Sequence, residues 1–370
     1  MSQYIWQLTT WPDLTWSAQK LELALSKARF LQGRLLGEIH SLGFPATDAI
    51  RQKLLITEAV QTSAIEGVQL NQDAVRSSVA RRLGLPTAGL PPPTPQTESL
   101  VDLLLDATTR YNEPLTPDRL RGWQAALFPA GYSGFRKIEV GDWRKSELQV
   151  VSGPIGREKE HFAAPPPDRL AQEMDRFCSW FADSLLEMDG LLRAGLAHLY
   201  FVTIHPFEDG NGRIARAITD MALAQAEKSG NRFYSLSGQI MNERDGYYAI
   251  LERTQKGDGD ATDWLNWFLG CFQRAIEGSE NLLENVTLKA RFWQRVATIQ
   301  LSEHQRKVIN RLLDSGPGGF AGGLTTRKFA GLAHVSRATA YREISDLLAK
   351  GILRQNPGRG RSASYDLNWE

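Results

Sequence analysis

Apolar positions along this chain recur mostly at helical spacing. From Trp16 to Leu42 they fall at Leu21, Leu23, Ala24, Leu25, Ala28, Leu31, Leu35 and Ile39, which predicts one long amphipathic helix. A second helix is expected from about Asp48 to Ile65, carrying Leu54, Leu55, Ala59 and Val60 and stopping near Gly67. Leu85 to Gln96, LPTAGLPPPTPQ, holds five prolines and reads as a loop or linker. Helical patterning resumes at Thr97 and runs to about Glu277. Within it, Asp168 follows three prolines and starts a helix with Leu170, Met174, Phe177 and Phe181 on one side. Leu191 to Ile204 is apolar nearly all round, the mark of a helix at the centre of a core, and Pro206 ends it. One interruption, Trp143 to Gly156, predicts a short strand over Leu148–Val151 and a turn at Gly153 and Pro154.

The last seventy residues or so change character. A helix near Glu303–Leu313 precedes a glycine-rich loop, then Thr325–Leu332, a short turn, a helix over Ser336–Lys350 capped by Ser336, and two strands around a Gly/Arg-rich turn. The pattern divides the chain into an N-terminal helical region (1–84), a proline-rich linker (85–96), a helical core (97–277), a connecting helix (278–300) and a C-terminal module (301–370). The fold class is mainly α. With 370 residues the chain exceeds one ordinary domain.

Composition narrows the setting only a little. Hydrophobic residues make up 42% and charged residues 23%, as in globular proteins, and a formal net charge of +1 gives no global pull toward nucleic acid or membrane. Cys178 and Cys271 lie far apart in apolar helical surroundings, so buried free thiols and a reducing compartment are expected. MSQYIWQLTTWPDL has no basic stretch followed by an apolar one, and no apolar run approaches a membrane span. A soluble, cytoplasmic protein without membrane contact is the expectation.

The richest chemistry is in His205 to Arg216, HPFEDGNGRIAR. Gly210, Asn211 and Gly212 suit positive φ and an anion-binding nest, and they lead into a helical run whose N-terminus favours phosphate. Arg213 and Arg216 share a helix face and suit phosphate oxygens. Asp209 is a hard oxygen donor of the kind Mg²⁺ uses with nucleotide phosphates. His205 titrates near neutrality and suits a general base. Glu208 reads as a solvated side chain.

This segment fills every fixed position of HPFx[DE]GNGRxxR, the signature of the Fic family of nucleotidyltransferases, and the chain resembles that family. The resemblance implies a Fic helical core with a short β-hairpin flap, ATP as co-substrate with Mg²⁺, and transfer of AMP to a Ser, Thr or Tyr hydroxyl of another protein or of this protein itself. His205 would be the base and Asp209 the metal ligand. Asn211 and the glycines would fix phosphates, and Arg213 would stabilise the leaving pyrophosphate. Leu148, Gln149, Val150 and Val151 would hold the target peptide as an added strand. One of Tyr247 and Tyr248 would cover the base, and Gln255 stands where relatives place an asparagine near the nucleotide.

Thr62, Glu66 and Gly67 match the family's inhibitory motif [ST]xxxE[GN], placed before the core as in its class II members. Glu66 would pair with Arg216 and hold ATP in an unproductive pose. A charged hydrogen bond of about 1.5–3 kcal/mol shifts a population about 10- to 150-fold. Removal of AMP by the same site, another nucleotidyl donor, or a nucleotide-sensing transcription regulator are the alternatives. The C-terminal module resembles a winged helix. DNA contact through residues 336–361, with Arg337, Thr339, Tyr341, Arg342, Arg359 and Arg361, stands beside protein recruitment or homodimer formation, and Glu343 and Asp346 count against DNA.

Overall fold

A computed structural model of the chain describes residues 4–40, 44–87, 89–152, 159–357 and 363–369. The N-terminal helices are α1 (Ala18–His40), α2 (Phe44–Ile65) and α3 (Gln72–Arg82). α4 (Pro95–Thr109) and α5 (Pro117–Leu127) follow, then the hairpin strands β1 (Tyr132–Ser133) and β2 (Arg136–Lys137). β3 (Gln149–Ser152) and β4 (Lys159–Ala163) precede α6 (Leu170–Asp183), α7 (Gly190–Ile204), α8 (Asn211–Glu227), α9 (Leu236–Asn242), α10 (Arg244–Gln255) and α11 (Thr262–Arg295). The chain ends with α12 (Glu303–Ser315), α13 (Thr326–Ala333), α14 (Arg337–Ala349), β5 (Leu353–Gln355) and β6 (Tyr365–Leu367).

Two compact units result. One comprises Met1–Ser41 and Arg51–Ser279, the other Leu42–Ile50 and Glu280–Glu370. The first is a helical body around α7, whose residues Leu191–Ile204 are all buried, with α8 packed along it. Asp189 starts α7 by accepting from the amides of Leu191 and Leu192. The second has its own apolar core, in which Val308, Ile309, Leu312, Phe329, Ile344, Leu347 and Leu367 join α12–α14 to the β5–β6 hairpin.

Local chemistry explains where element ends differ from the pattern. α4 begins at Pro95, inside the expected linker, because proline is tolerated in the first turn and Thr94 caps the helix. A 3-10 turn over Pro167–Arg169 delays α6 to Leu170. α11 runs unbroken for 34 residues, so the expected connecting helix is the end of a longer one. Leu148 lies just outside β3, and the strand reaches Ser152 instead. Its partner β4 and the β1–β2 hairpin have no alternating pattern long enough to announce them. Gly153, Pro154, Arg359 and Arg361 lie outside the described residues. Both cysteines are free thiols, Cys271 buried and Cys178 half-buried, and burial raises the pKa of each.

Candidate active site

α7 carries the catalytic candidate to its place by ending abruptly. His205 caps it in the left-handed conformation, φ 51° and ψ 58°, which costs a non-glycine residue roughly 1 kcal/mol and needs outside support. Arg144 supplies it. This arginine is 1% exposed, its Nε donates to the carbonyl of His205 at 2.9 Å, and its own amide donates to Pro206 O at 2.9 Å. Its remaining nitrogens donate to Ser146 O and Pro165 O, so the guanidinium ties three loop segments together. Nothing in VGDWRKS marks Arg144 in the sequence, since a lone arginine in a polar loop reads as surface.

The imidazole of His205 contacts the carbonyl of Val202 through Nδ1 at 3.0 Å. A carbonyl only accepts, so Nδ1 carries the proton and the lone pair lies on Nε2. Burial holds the pKa of His205 below the ordinary histidine value, with the Val202 bond working the other way. His198, two turns earlier on α7, differs in having both nitrogens engaged, with Thr219 Oγ1 and the Tyr247 hydroxyl, each at 2.9 Å. Its pKa is pushed down to about 3 by burial and by Arg216.

The loop between α7 and α8 is shaped by Asn211. Its Oδ1 accepts from the Phe207 amide at 3.0 Å and its Nδ2 donates to the Phe207 carbonyl at 2.7 Å. The side chain expected on phosphate thus fixes the loop with one of its N–H groups and its carbonyl oxygen. The nest also takes another form: Gly210 alone of the three has positive φ, 92°, while Asn211 and Gly212 already belong to α8. Gly210 is required twice over, because a Cβ there would also lie 3.0 Å from the Phe128 ring. What faces an anion is then the start of α8, whose first amides have no carbonyl partner within the helix.

Asp209 sits on this loop with its side chain 37% exposed. It accepts from the Gly210 amide at 2.5 Å and from the Ser133 hydroxyl, which binds the β1–β2 hairpin to the motif. Glu208 is not simply solvated: Arg136 of the same hairpin reaches its carbonyl and its carboxylate.

Both arginines of the motif are buried. Arg213 lies 4.9 Å over the Phe128 ring and 3.6 Å from Asp209, and its Nε has no hydrogen-bond partner among the described residues. Arg216 is held from α2. Its Nε donates to Thr62 Oγ1 at 2.7 Å, and its Nη2 donates to Thr62 O and to Glu66 Oε1, both at 2.8 Å. Nη1 has no partner among the described residues. Burial lowers the pKa of Arg213; for Arg216 burial acts the same way, but the Glu66 carboxylate and nearby tyrosines overcome it and the net shift is upward. Glu66 also lies over the first turn of α8: a Cβ on Gly212 would stand 2.1 Å from its Oε1. A carboxylate thus occupies the anion-favouring helix start.

The remaining candidates separate. Tyr247 is buried against His198, whereas Tyr248 is 39% exposed and donates its hydroxyl to Ile65 O at 3.2 Å. Arg244 Nε donates to the same carbonyl at 2.8 Å, so the end of α2, next to Glu66, is held by two side chains of α10. Gln255 is buried and donates to Thr203 Oγ1 at 3.3 Å, behind α7. Glu58, missed in the sequence, accepts from Ser235 Oγ, Ser237 N and Ser237 Oγ. The spacing 58, 62, 66 on one helix face was a signal available for it. A cleft of about 870 Å³ between α1, α10 and α11 contains none of the motif residues.

Residues 114–223 match the Fic/DOC family, and residues 4–85 match a domain of unknown function, DUF4172. A uridine 5'-monophosphate transferase of Xanthomonas campestris pv. campestris (strain 8004) is 34% identical over 118 residues, covering 30% of this chain and 21% of the relative. A protein adenylyltransferase Fic of Drosophila erecta is 27% identical over 191 residues, covering 49% of this chain and 35% of the relative. The chain thus spans about a fifth to a third of the length of these curated relatives. A crystal structure of a Fic family protein from Desulfovibrio desulfuricans G20 shares the fold, with a TM-score of 0.59, 17% identity, and coverage of 97% of this chain and 98% of that one. The chain contains a Fic/DOC-family domain over residues 114–223, preceded by a match to DUF4172 over residues 4–85.

Proposed function

We propose that this protein transfers AMP from ATP to a Ser, Thr or Tyr hydroxyl of a protein and that Glu66 restrains the reaction. The observation that carries the reading is the pairing of a free imidazole Nε2 with a helix start flanked by two buried guanidinium groups, each with an open N–H. Buried unpartnered charged donors are costly, and an incoming polyphosphate would satisfy them.

In this reading His205 Nε2 takes the proton of the target hydroxyl. The oxygen bonds to the α-phosphorus of ATP, the bond to the β-phosphate oxygen breaks, and pyrophosphate leaves. Arg213 and the first amides of α8 stabilise charge on the phosphates, which supplies much of the acceleration in such transfers. Arg216 holds the γ-phosphate once Glu66 withdraws. Asp209, a partly exposed carboxylate, is the residue that would hold Mg²⁺, which neutralises phosphate charge. Among the described residues no group of three or more acidic, His or Cys side chains gathers for a metal, and one carboxylate with substrate phosphates is how Mg²⁺ is usually held. The flap strand β3, Gln149–Ser152, would receive the target backbone.

A second donor is favoured by a specific finding, since one relative is named a uridine 5'-monophosphate transferase. Mass spectrometry of the purified protein incubated with ATP or UTP, Mg²⁺ and lysate decides between them. An AMP adduct that disappears in His205→Ala is expected. A UMP adduct transfers the reading to the other donor, and no adduct with either removes it.

For the second unit, DNA contact stands beside protein recruitment as an alternative, and the acids that count against it have partners within the unit. Asp346 accepts from Gln305 and Lys350, and Glu343 accepts from Ser302, while Arg337, Tyr341 and Arg342 stay exposed. A mobility shift with random duplex that weakens as salt rises would bear this out, and no shift at low salt would remove it.

A further inference from the structure

The β3–β4 hairpin is the element expected to receive a target strand, and two strands alone are marginally stable in water. What holds it comes from the N-terminal end of the chain. Tyr4 packs edge-on against Phe162 of β4, with ring centroids 5.1 Å apart, and donates its hydroxyl to Glu160 Oε1 at 2.7 Å. Trp6 Nε1 donates to the carbonyl of Ala163, the last residue of β4, at 2.8 Å. Tyr4, Phe162 and Ala164 form a small apolar core of their own, with Trp6, Leu148 and Val150 packed on it.

The arm that carries these residues is itself fixed. Gln7 Oε1 accepts from the Tyr4 amide at 2.8 Å, closing the 3-10 turn Ile5–Gln7. Arg169 lies 5.5 Å from the Trp6 ring and bonds Glu173, which also accepts from Trp11 Nε1. Further on, Thr15 exchanges backbone bonds with Gly259 and Ala261. The register shifts between Val150 and Val151, and the Nδ1 of His161 in β4 lies 2.6 Å from Glu252 of α10. β4 is therefore tied to its surroundings at Glu160, His161, Phe162 and Ala163. β3 pairs with β4 alone among the described residues, and its Gln149 and Val151 are exposed.

We propose that Tyr4 and Trp6 are positioning residues for target binding: they clamp β4 so that the open edge of β3 is presented in one register to an extended segment of an acceptor protein. This rests on the functional reading above. It gives the first residues of the DUF4172 match a task distinct from that of Glu66. The arm governs how an acceptor is held, and α2 governs how the nucleotide is held.

The test uses the full chain in a Glu66→Gly background, with α-labelled ATP and dialysed lysate protein titrated as acceptor. Trp6→Ala and the milder Tyr4→Phe are compared with the parent. Each is expected to raise the half-saturating acceptor concentration, by about fivefold for a lost hydrogen bond, with the larger shift in Trp6→Ala and the plateau rate changed less than about twofold. A lower plateau at unchanged half-saturation, or no change at all, overturns the proposal. Amide hydrogen exchange across β3 and β4 is read in the same proteins without nucleotide. Faster exchange in Trp6→Ala is expected, and unchanged exchange overturns the clamp even if Glu66→Gly transfers no label. A parent that transfers no label defeats the functional reading, which is a separate failure.

Discussion

Two of the contacts between the N-terminal region and the rest of the first unit are made of opposite materials. At α2 the contact is charged: Glu66 and Thr62 grip Arg216, with Arg244 and Tyr248 holding the helix end. At the arm it is aromatic: Tyr4 and Trp6 seat on β4. A carboxylate on a guanidinium competes with a ligand of the same charge, so that contact is exchangeable by design of its chemistry. An aromatic seat has no such competitor. The difference teaches that one N-terminal domain can bear on a site in two ways, by occupying it and by shaping its approach.

The largest expected effect falls on the charged contact. Glu66→Gly should raise the rate of AMP transfer about 10- to 150-fold at fixed ATP, read with α-labelled nucleotide, while the half-saturating acceptor concentration stays put. An unchanged rate would sink the restraint. If the acceptor dependence moved instead, the two contacts would not be separate levers.

Thr62→Val is the next test. It removes the acceptor of Arg216 Nε and leaves that buried N–H unpaired, which should cost about 1–3 kcal/mol and lower the melting temperature. Bound ATP should recover part of the loss, because phosphate oxygens would reach the same guanidinium. A melting temperature equal to the parent's would show that Thr62 is not what holds Arg216.

The smallest effect concerns pH. His205 must be neutral to accept a proton, and burial lowers its pKa, so the competent form persists below the ordinary histidine value. The acid limb of transfer by the Glu66→Gly protein should be centred below the ordinary histidine value. An acid limb centred above the usual histidine range would mean that another group limits the rate or that His205 is charged in the folded protein.

Much of the site lies in one continuous stretch and could be read there, because His205, Asp209, Arg213 and Arg216 need only a loop and one helical turn between them. Thr62 and Glu66 were legible for the same local reason, and the meeting of Glu66 with Arg216 is the contact the motif implied, while the bonds from Arg216 to Thr62 were not foreseen. The loop-fixing bonds of Asn211 were not legible, since a side-chain amide serves a phosphate or a loop equally well until the Phe207 backbone is placed. Arg144, Ser133 and Arg244 were invisible. Each acts on a residue between about 60 and 180 positions away, and no spacing rule carries that far.

The sequence by itself determined the helical character, the buried helix α7, and the set of groups that could handle a phosphate and a proton. Periodicity and local spacing encode these directly. Only the tertiary structure decided which nitrogen of His205 is free, that Glu66 rests over Gly212 at the start of α8, and that β4 is anchored by Tyr4 and Trp6. Those facts depend on which distant backbone carbonyls and side chains come within hydrogen-bond reach, and that is settled by packing, not by any stretch of chain alone.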